Sequence, residues 1–212
     1  MPRKKFLASN DLPYHVTARC LNKEWFALPL ELLWELFSDY LFFTHHAFQV
    51  RIHSFVLMPN HIHMIVRTPE MNLDKAMNYF MRETSRAIGR HSGRINQVYG
   101  GPYYWSLMRS PNYFLHAYKY VYRNPIEANL SIKAELYKFS TLPALLGQAR
   151  TIIPMVHDET LFDCVTDQLK WLNTAYPSAE VRADIKNALR KKEFHFAKDK
   201  RGNPHRLELE MV

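Results

Sequence analysis

The sequence predicts an α+β protein with a ferredoxin-like antiparallel sheet, helices packed on one face of that sheet, and a C-terminal helical extension. Two observations lead to this prediction. Segments of strand and helix character follow one another in the order strand, helix, strand, strand, helix, strand, helix. The link between the second and third strands is too short for a crossover, so these strands must be antiparallel. We assign residues 1–145 to the sheet domain and residues 146–212 to the extension.

The first strands and the first helix are predicted from the spacing of apolar residues. Residues 14–20 are β-rich and alternate well enough for a strand with one buried face. Over residues 30–43 the apolar side chains recur every three or four positions, which indicates a helix that lies on a core. Residues 48–57 return to strand character, and Met58-Pro59-Asn60 forms a turn into a third strand at 61–68.

The second half of the domain continues the alternation. Residues 73–90 have helical periodicity, and residues 103–109 can form the fourth strand. Ser110 and Pro111 are suited to the N-cap and first position of a third helix. We expect this helix to end at Asn124, because the proline that follows disfavours α geometry in the residue before it.

The extension contains two predicted helices, residues 158–176 and 178–192, separated by Pro177. Their amphipathic pattern suits dimerisation, DNA contact or partner binding, and packing back onto the domain is the default expectation. A homodimer is therefore an open possibility.

Composition and charge limit the class of protein. The 212 residues are 47% hydrophobic, enough to bury a core, and the formal net charge is +8. This charge favours a polyanionic partner, either nucleic acid or an anionic lipid surface. No apolar run approaches the roughly 20 residues that span a bilayer, and no signal-like segment follows the basic start, so we expect a cytoplasmic protein. Cys20 and Cys164 match no metal-site spacing.

The third predicted strand begins with two histidines. In His61-Ile62-His63 the two-residue period of a strand puts both imidazoles on one face, about 7 Å apart along the chain. That spacing lets both rings bind one metal. For an arbitrary pair of this kind, two solvated polar residues would be the better interpretation.

A polar stripe on the third helix favours a metal site over two solvated polar residues. At 100° per residue, Tyr113, His116, Tyr120 and Asn124 lie along one narrow stripe beside an apolar one. Tyr120 and Asn124 are one turn apart, so a phenol and a carboxamide can reach the same small volume. The simpler alternative is that a chain with 12 tyrosines places several on helices as half-buried packing residues.

Several motifs together resemble a known family, the IS200/IS605-like single-tyrosine transposases, and in particular the REP-associated tyrosine transposases that act on palindromic DNA repeats. They occur in the family's order and spacing over roughly residues 1–142. The matching pieces are Met-Pro-Arg-Lys at the start, Tyr14-His15-Val16-Thr17, Val56-Leu57-Met58-Pro59-Asn60-His61-Ile62-His63, Gly93-Arg94 and Tyr120-Val121-Tyr122-Arg123-Asn124-Pro125.

The resemblance implies an enzyme that nicks single-stranded hairpin DNA and transfers strands through a 5′-phosphotyrosine. His61 and His63 then form the family's histidine-hydrophobic-histidine motif, Tyr120 is the nucleophile, and Asn124 is an amide ligand that completes the metal site. Such a nitrogen and oxygen ligand set is compatible with Mg²⁺ or Mn²⁺. A DNA-processing enzyme of this kind would be nucleoid-associated.

Two departures from the family pattern affect DNA contacts. Family members often read Val-Arg-Ala-Gly where this chain has Ile126-Glu127-Ala128-Asn129, so one basic contact is lost and Asn129 must supply a left-handed turn. The loop at residues 99–104 also lacks the basic residues commonly found there.

Candidate DNA contacts are basic or aromatic. A ridge of arginines spaced by four, a further arginine and the N-terminal arm can contact phosphates, although a solvated surface is the better interpretation for any single one of them. These residues are Arg82, Arg86, Arg90, Arg94, Arg3, Lys4 and Lys5. Tyr103, Tyr104 and Trp105 can stack on unpaired bases or belong to the core. His116 is a possible accessory residue for proton transfer, but a lone helical histidine is more often structural.

Two other functions fit the same residues. A domesticated relative could grip hairpin nucleic acid and regulate it without cutting. A metal-dependent phosphodiesterase could use water in place of Tyr120. Capture of DNA covalently linked to the protein separates both from a transposase.

Overall fold

The computed structural model describes residues 6–156, 165–198 and 201–209 of the chain. Its centre is a four-stranded antiparallel sheet in the order β2-β3-β1-β4. The strands are β1 (Tyr14–Arg19), β2 (Arg51–Met58), β3 (His61–Arg67) and β4 (Tyr104–Leu107). The predicted antiparallel pair around the Met58-Pro59-Asn60 turn is therefore confirmed, and so is the α+β class.

Two long helices cover one face of the sheet. They are α1 (Leu30–Phe48) and α2 (Leu73–Ser92). Phe37 of α1 lies 5.5 Å from Phe80 of α2 and 6.2 Å from Phe55 of β2, measured between ring centroids. Because cross-strand partners share a face, Met64 of β3, opposite Phe55, belongs to this apolar layer.

The third helix, α3 (Pro111–Glu127), lies against the opposite face. Its Tyr120 contacts His15 of β1 and His63 of β3. Along each strand these histidines alternate with the residues packed against α1 and α2, so they point to the opposite face of the sheet. The prediction that helices pack on one face thus holds for α1 and α2, whereas α3 covers the other face. The reason is that β2 and β3 are buried on both sides, so neither face can be left to solvent.

The end of α3 differs from the prediction. Ser110 is the N-cap as expected, and its hydroxyl accepts a hydrogen bond from the Tyr113 amide at 3.2 Å. The expected end at Asn124 is wrong, because the helix continues through Pro125 to Glu127. A proline near a helix end removes one backbone hydrogen bond, and the burial of this helix offsets that loss. Asn129 then adopts φ 56°, which confirms the predicted left-handed turn.

Helix α1 also extends beyond its predicted end at residue 43. It ends where Gln49 takes a left-handed φ of 56°, so β2 begins at Arg51. The additional turn contains Thr44, which is buried and donates its hydroxyl hydrogen to the Tyr40 carbonyl at 2.6 Å. This internal partner lets a polar residue remain in the helix.

The extension packs back onto the domain. A short α4 (Leu142–Leu145) is followed in the described residues by α5 (Val165–Asn173), α6 (Ala179–Ala188) and a short α7 (Arg206–Leu209). The first residues of the predicted 158–176 helix lie outside the described residues, as does Cys164.

Segments of the extension also cover the edges of the sheet. The Leu107 amide of β4 donates to the Lys192 carbonyl at 2.8 Å, and the Val156 amide donates to the Ile52 carbonyl of β2 at 2.8 Å. Covered edges do not pair with other chains. Among the residues described, no helix combines the length and the apolar character required to cross a bilayer.

Candidate active site

Three histidines meet on the α3 side of the sheet. The β1–β3 register places Thr17 opposite His63, so His15 shares a face with His61 and His63. The ring centroids of His61 and His63 are 4.8 Å apart, and those of His15 and His63 are 5.1 Å apart. The structure therefore brings the predicted pair together and adds a third imidazole.

Helix α3 positions Tyr120 over these histidines. The phenol ring lies 5.7 Å from the His63 ring and 6.3 Å from the His15 ring, in edge-on contact with both. One turn later, the Asn124 side-chain nitrogen donates to the Tyr120 carbonyl at 2.8 Å, and both residues are buried. His61, His63 and Tyr120 thus lie together, as the sequence pattern predicts, and Asn124 is one helical turn from Tyr120.

Hydrogen bonds determine which nitrogen of His61 can bind a metal. The Asn60 amide nitrogen donates to the Lys23 carbonyl at 2.9 Å, which turns its Oδ1 toward His61 Nδ1 at 2.6 Å. Oδ1 only accepts, so Nδ1 of His61 carries the proton. Nε2 is then the ring nitrogen that can bind a cation.

His63 is held in a similar way. Its Nδ1 is 2.9 Å from Nε2 of His15, so its Nε2 is again the candidate ligand atom. Burial lowers the pKa of His15 and that of His61 to about 3, and it lowers the pKa of His63 well below its ordinary value, with neighbouring cationic groups adding to the effect. All three imidazoles are neutral at physiological pH, which is the form that binds metals.

The candidate ligand atoms are two imidazole nitrogens and one amide oxygen, which are atom types that divalent cations bind. The Asn124 nitrogen is used within α3, so the amide oxygen is the atom that suits Mg²⁺ or Mn²⁺. In the described part of the chain, no group of three or more His, Cys, Asp or Glu side chains is arranged to hold a metal. The predicted set of two imidazoles and one amide would thus need water or substrate oxygens to complete it.

The part of the chain that contains this site matches a known family. Residues 9–127, more than half of the chain, match the family model described as "Transposase IS200 like". This chain belongs to the IS200-like transposase family. The matched span contains all four residues of the predicted site.

Two further similarities are to a bacterial protein and to a solved structure. A protein of Haemophilus influenzae, described as uncharacterized, is 32% identical over 100 residues, which cover 37% of this chain and 56% of that protein. The match therefore spans about half of that relative's length. A solved structure of a REP-associated tyrosine transposase bound to a REP hairpin is similar with a TM-score of 0.60 at 14% identity, covering 84% of this chain and 96% of that one. At this identity the likeness shows the shared fold.

Basic residues of the extension lie within electrostatic range of Tyr120 in this member of the IS200-like family. Burial raises the pKa of the Tyr120 phenol, while the nearby guanidinium groups of Arg182, Arg190 and Arg19 lower it. Arg182 and Arg190 belong to α6 or directly follow it, and Arg19 ends β1. These cations stabilise the charged form of the phenol.

The predicted arginine ridge lies elsewhere. Arg82 and Arg86 are exposed on α2, across the sheet from Tyr120, and both bond to Glu83, at 2.7 and 3.1 Å. Arg90 is exposed farther along α2, and Arg94 pairs with Glu24 at 3.1 Å. Arg3, Lys4 and Lys5 lie outside the described residues. A role of these residues in DNA binding stays a prediction.

The other candidate residues are divided between the two faces. His116 packs its ring on Phe196, with Nε2 3.3 Å from the Leu207 carbonyl, as a structural histidine would. The Tyr103 hydroxyl donates to Asp74 at the start of α2. Tyr104 is 68% exposed, and it lies on the same face of the sheet as the site because it pairs with Thr17. Of the three aromatic residues at 103–105, it is therefore the one that can stack on a base near the site.

Two features of the site are missing from the sequence predictions. His15 lies in the quoted Tyr14-His15-Val16-Thr17 motif, and alternation along β1 could have marked its face, but not its contact with His63. The stripe of Arg182, Lys186 and Arg190 is readable at four-residue spacing. Its position beside Tyr120 depends on how the extension folds back.

Proposed function

We propose that this chain is a divalent-metal-dependent endonuclease and strand transferase that acts on single-stranded hairpin DNA. The observation that carries the proposal is the buried contact of the Tyr120 ring with His63, at 5.7 Å, beside His61 and Asn124. Hairpin DNA as the partner is supported by the structural neighbour described as bound to a REP hairpin. The +8 charge suits the same partner.

In the proposed reaction the Tyr120 oxygen attacks the scissile phosphorus as the phenol proton leaves. The bond from phosphorus to the 3′ oxygen breaks, and that oxygen takes up a proton. The products are a 5′-phosphotyrosine and a free 3′-OH, and another 3′-OH can reverse the step on a new strand. Strand transfer therefore needs no external energy source.

The metal has a defined place in this proposal. Nε2 of His61, Nε2 of His63 and the Asn124 amide oxygen would hold Mg²⁺ or Mn²⁺. When bound, the cation would polarise a non-bridging phosphate oxygen and offset the charge of the transition state. The neutral state of the histidines at physiological pH keeps their ligand atoms available.

The test is covalent capture with a hairpin oligonucleotide that carries a single-stranded flank and a 3′ label. With Mn²⁺, we expect wild-type protein to give a labelled adduct on a denaturing gel, and Tyr120→Phe to give none while still binding the hairpin. Tyr113→Phe, on the same stripe of α3, is the matched control and should form adduct. Excess chelator should suppress the adduct in the wild type and in Tyr113→Phe.

The other outcomes distinguish the rival functions. Adduct formation by Tyr120→Phe would reject Tyr120 as the nucleophile. Binding without adduct in the wild type would indicate a non-catalytic hairpin binder. Cleavage by Tyr120→Phe without adduct would indicate a phosphodiesterase that uses water.

A further inference from the structure

We propose that the appended helix α6 and the end of β1 form a binding site for the DNA phosphates that flank the one attacked by Tyr120. This inference rests on the proposed function and assigns a role to the extension. The residues are Arg19, Lys23, Arg182, Lys186 and Arg190, called here the α6 cluster.

The orientation of α6 presents three of these cations along one stripe. Val181, Ile185 and Ala188 are buried, which fixes the inner face of the helix. Arg182, Lys186 and Arg190 follow at four-residue intervals and are partly or fully exposed. Successive members are about 6 Å apart along a helix axis, so the stripe is long enough for more than one phosphate.

One end of the stripe lies at the end of α3, the helix that carries Tyr120. Arg182 Nε is 3.3 Å from Oε2 of Glu127, the last residue of α3 and two turns beyond Tyr120. A cleft of about 370 Å³ opens between this end of α3 and α6, and both Arg182 and Lys186 line it. From the other side, Arg19 of β1 pairs in register with His61. The cluster therefore has members at the end of α3 and opposite His61 in the sheet, the two elements that carry the proposed reaction site.

The charges in the cluster are crowded. Lys186 lies near Arg190, Arg182, Arg19 and Lys23, and burial together with these cations lowers its pKa. Like charges held together destabilise the free protein, and a polyanion among them removes that repulsion. Single-stranded DNA suits this arrangement because its backbone presents phosphates in series, and a positively charged groove can follow them.

Binding can be measured apart from cleavage in a Tyr120→Phe background. The probe is a hairpin oligonucleotide with or without a single-stranded flank. For the flanked probe, the triple variant Arg182→Ala/Lys186→Ala/Arg190→Ala should raise the dissociation constant about 10- to 100-fold near 0.1 M salt. It should also reduce the slope of log affinity against log salt by about 2, since a single-stranded contact contributes roughly 0.7.

The matched control removes three exposed cations that lie outside the α6 cluster. Arg51, Lys75 and Arg150 are exposed. Arg51 pairs with Arg67 at one end of the β2–β3 ladder, and His61 lies at the other end. Arg51→Ala/Lys75→Ala/Arg150→Ala should change affinity less than about 3-fold. The charge-conserving variant Arg182→Lys/Lys186→Arg/Arg190→Lys should retain the salt slope, which separates loss of charge from misfolding.

Three results would overturn the inference. The first is an equal loss of affinity in the α6 alanine variant and in the Arg51→Ala/Lys75→Ala/Arg150→Ala control, and the second is a loss of affinity that is the same for probes with and without the flank. The third is a loss of affinity confined to an Arg82→Ala/Arg86→Ala/Arg90→Ala variant on α2. The assay does not depend on cleavage. If the wild type forms no adduct but the α6 triple variant alone loses flank binding, the nuclease proposal fails and this inference stands.

Discussion

Each predicted metal-binding histidine has its Nδ1 held by a neighbouring residue. Asn60 accepts from His61, and His15 is bonded to His63 at 2.9 Å. Such partners orient a metal-binding imidazole, and their loss typically weakens metal binding about 10- to 100-fold. His15 is thus a positioning residue for His63 under the proposed function.

Replacement of His15 tests this role. In His15→Phe, a ring still fills the buried space but cannot bond to His63, so we expect Mn²⁺ affinity to fall about 10- to 100-fold. Isothermal titration calorimetry with Mn²⁺ measures the change. His53→Phe is the control, because His53 is also buried on the sheet and its ring contacts Phe114 at 5.5 Å. Unchanged Mn²⁺ affinity in His15→Phe would contradict the role.

At the level of elements, one arginine of α3 holds the extension. Arg123 Nη1 donates to the Leu172 and Thr174 carbonyls, both at 3.0 Å, and Nη2 donates to Glu127 at 2.8 Å. Its side chain is 4% exposed. The motif that contains Tyr120 therefore also fixes the segment between α5 and α6.

Removal of the Arg123 charge should destabilise the fold. Arg123→Met leaves two buried carbonyls without their donor and removes one of the two guanidinium partners of Glu127, so we expect the free energy of unfolding to fall by about 3 kcal/mol. Urea denaturation provides the measurement. Lys170→Met, which removes an exposed cation from α5, should cost less than about 0.5 kcal/mol. Equal effects of the two substitutions would show that Arg123 is not an anchor.

The surroundings of Glu127 show that a cation missing from one element can be supplied by another. Related transposases often have arginine at this position, and the sequence indicates that one basic contact is lost. In the structure, Glu127 pairs with Arg182 of α6 at 3.3 Å. A guanidinium is therefore present near the end of α3, although it comes from the extension.

At the level of the whole molecule, the buried histidines couple stability to pH. In the unfolded chain a histidine titrates near 6.5, whereas in the folded protein the pKa of His15 and that of His61 are about 3 and that of His63 is also lowered. Between these values the unfolded chain binds more protons. The free energy of unfolding must then decrease as the pH falls through this range.

The metal-free protein should therefore have a nearly constant urea midpoint between about pH 8 and pH 7, with a progressive fall from about pH 6.5 toward pH 4. His15→Phe removes one of the titrating groups, so the slope of its midpoint against pH should be smaller than in the wild type. Midpoints measured across this range check both statements. A midpoint that does not change below about pH 6.5 would mean that these histidines are protonated in the folded state.

The sequence by itself determined the features that depend on one element. Strand alternation puts His61 and His63 on one face, helical periodicity puts Tyr120 and Asn124 on one stripe, and Ser110 caps α3 as predicted. Each follows from backbone geometry within a few consecutive residues. The class of fold followed from the order of such elements, and the family from motifs distributed along the chain.

Tertiary structure alone decided which remote elements meet. It placed α3 on the face opposite α1 and α2, His15 against His63, and α6 beside Tyr120 instead of the arginines of α2. Local periodicity states which side chains share a face, but not which face another element covers. That choice depends on the sum of many weak packing contacts between residues far apart in the chain.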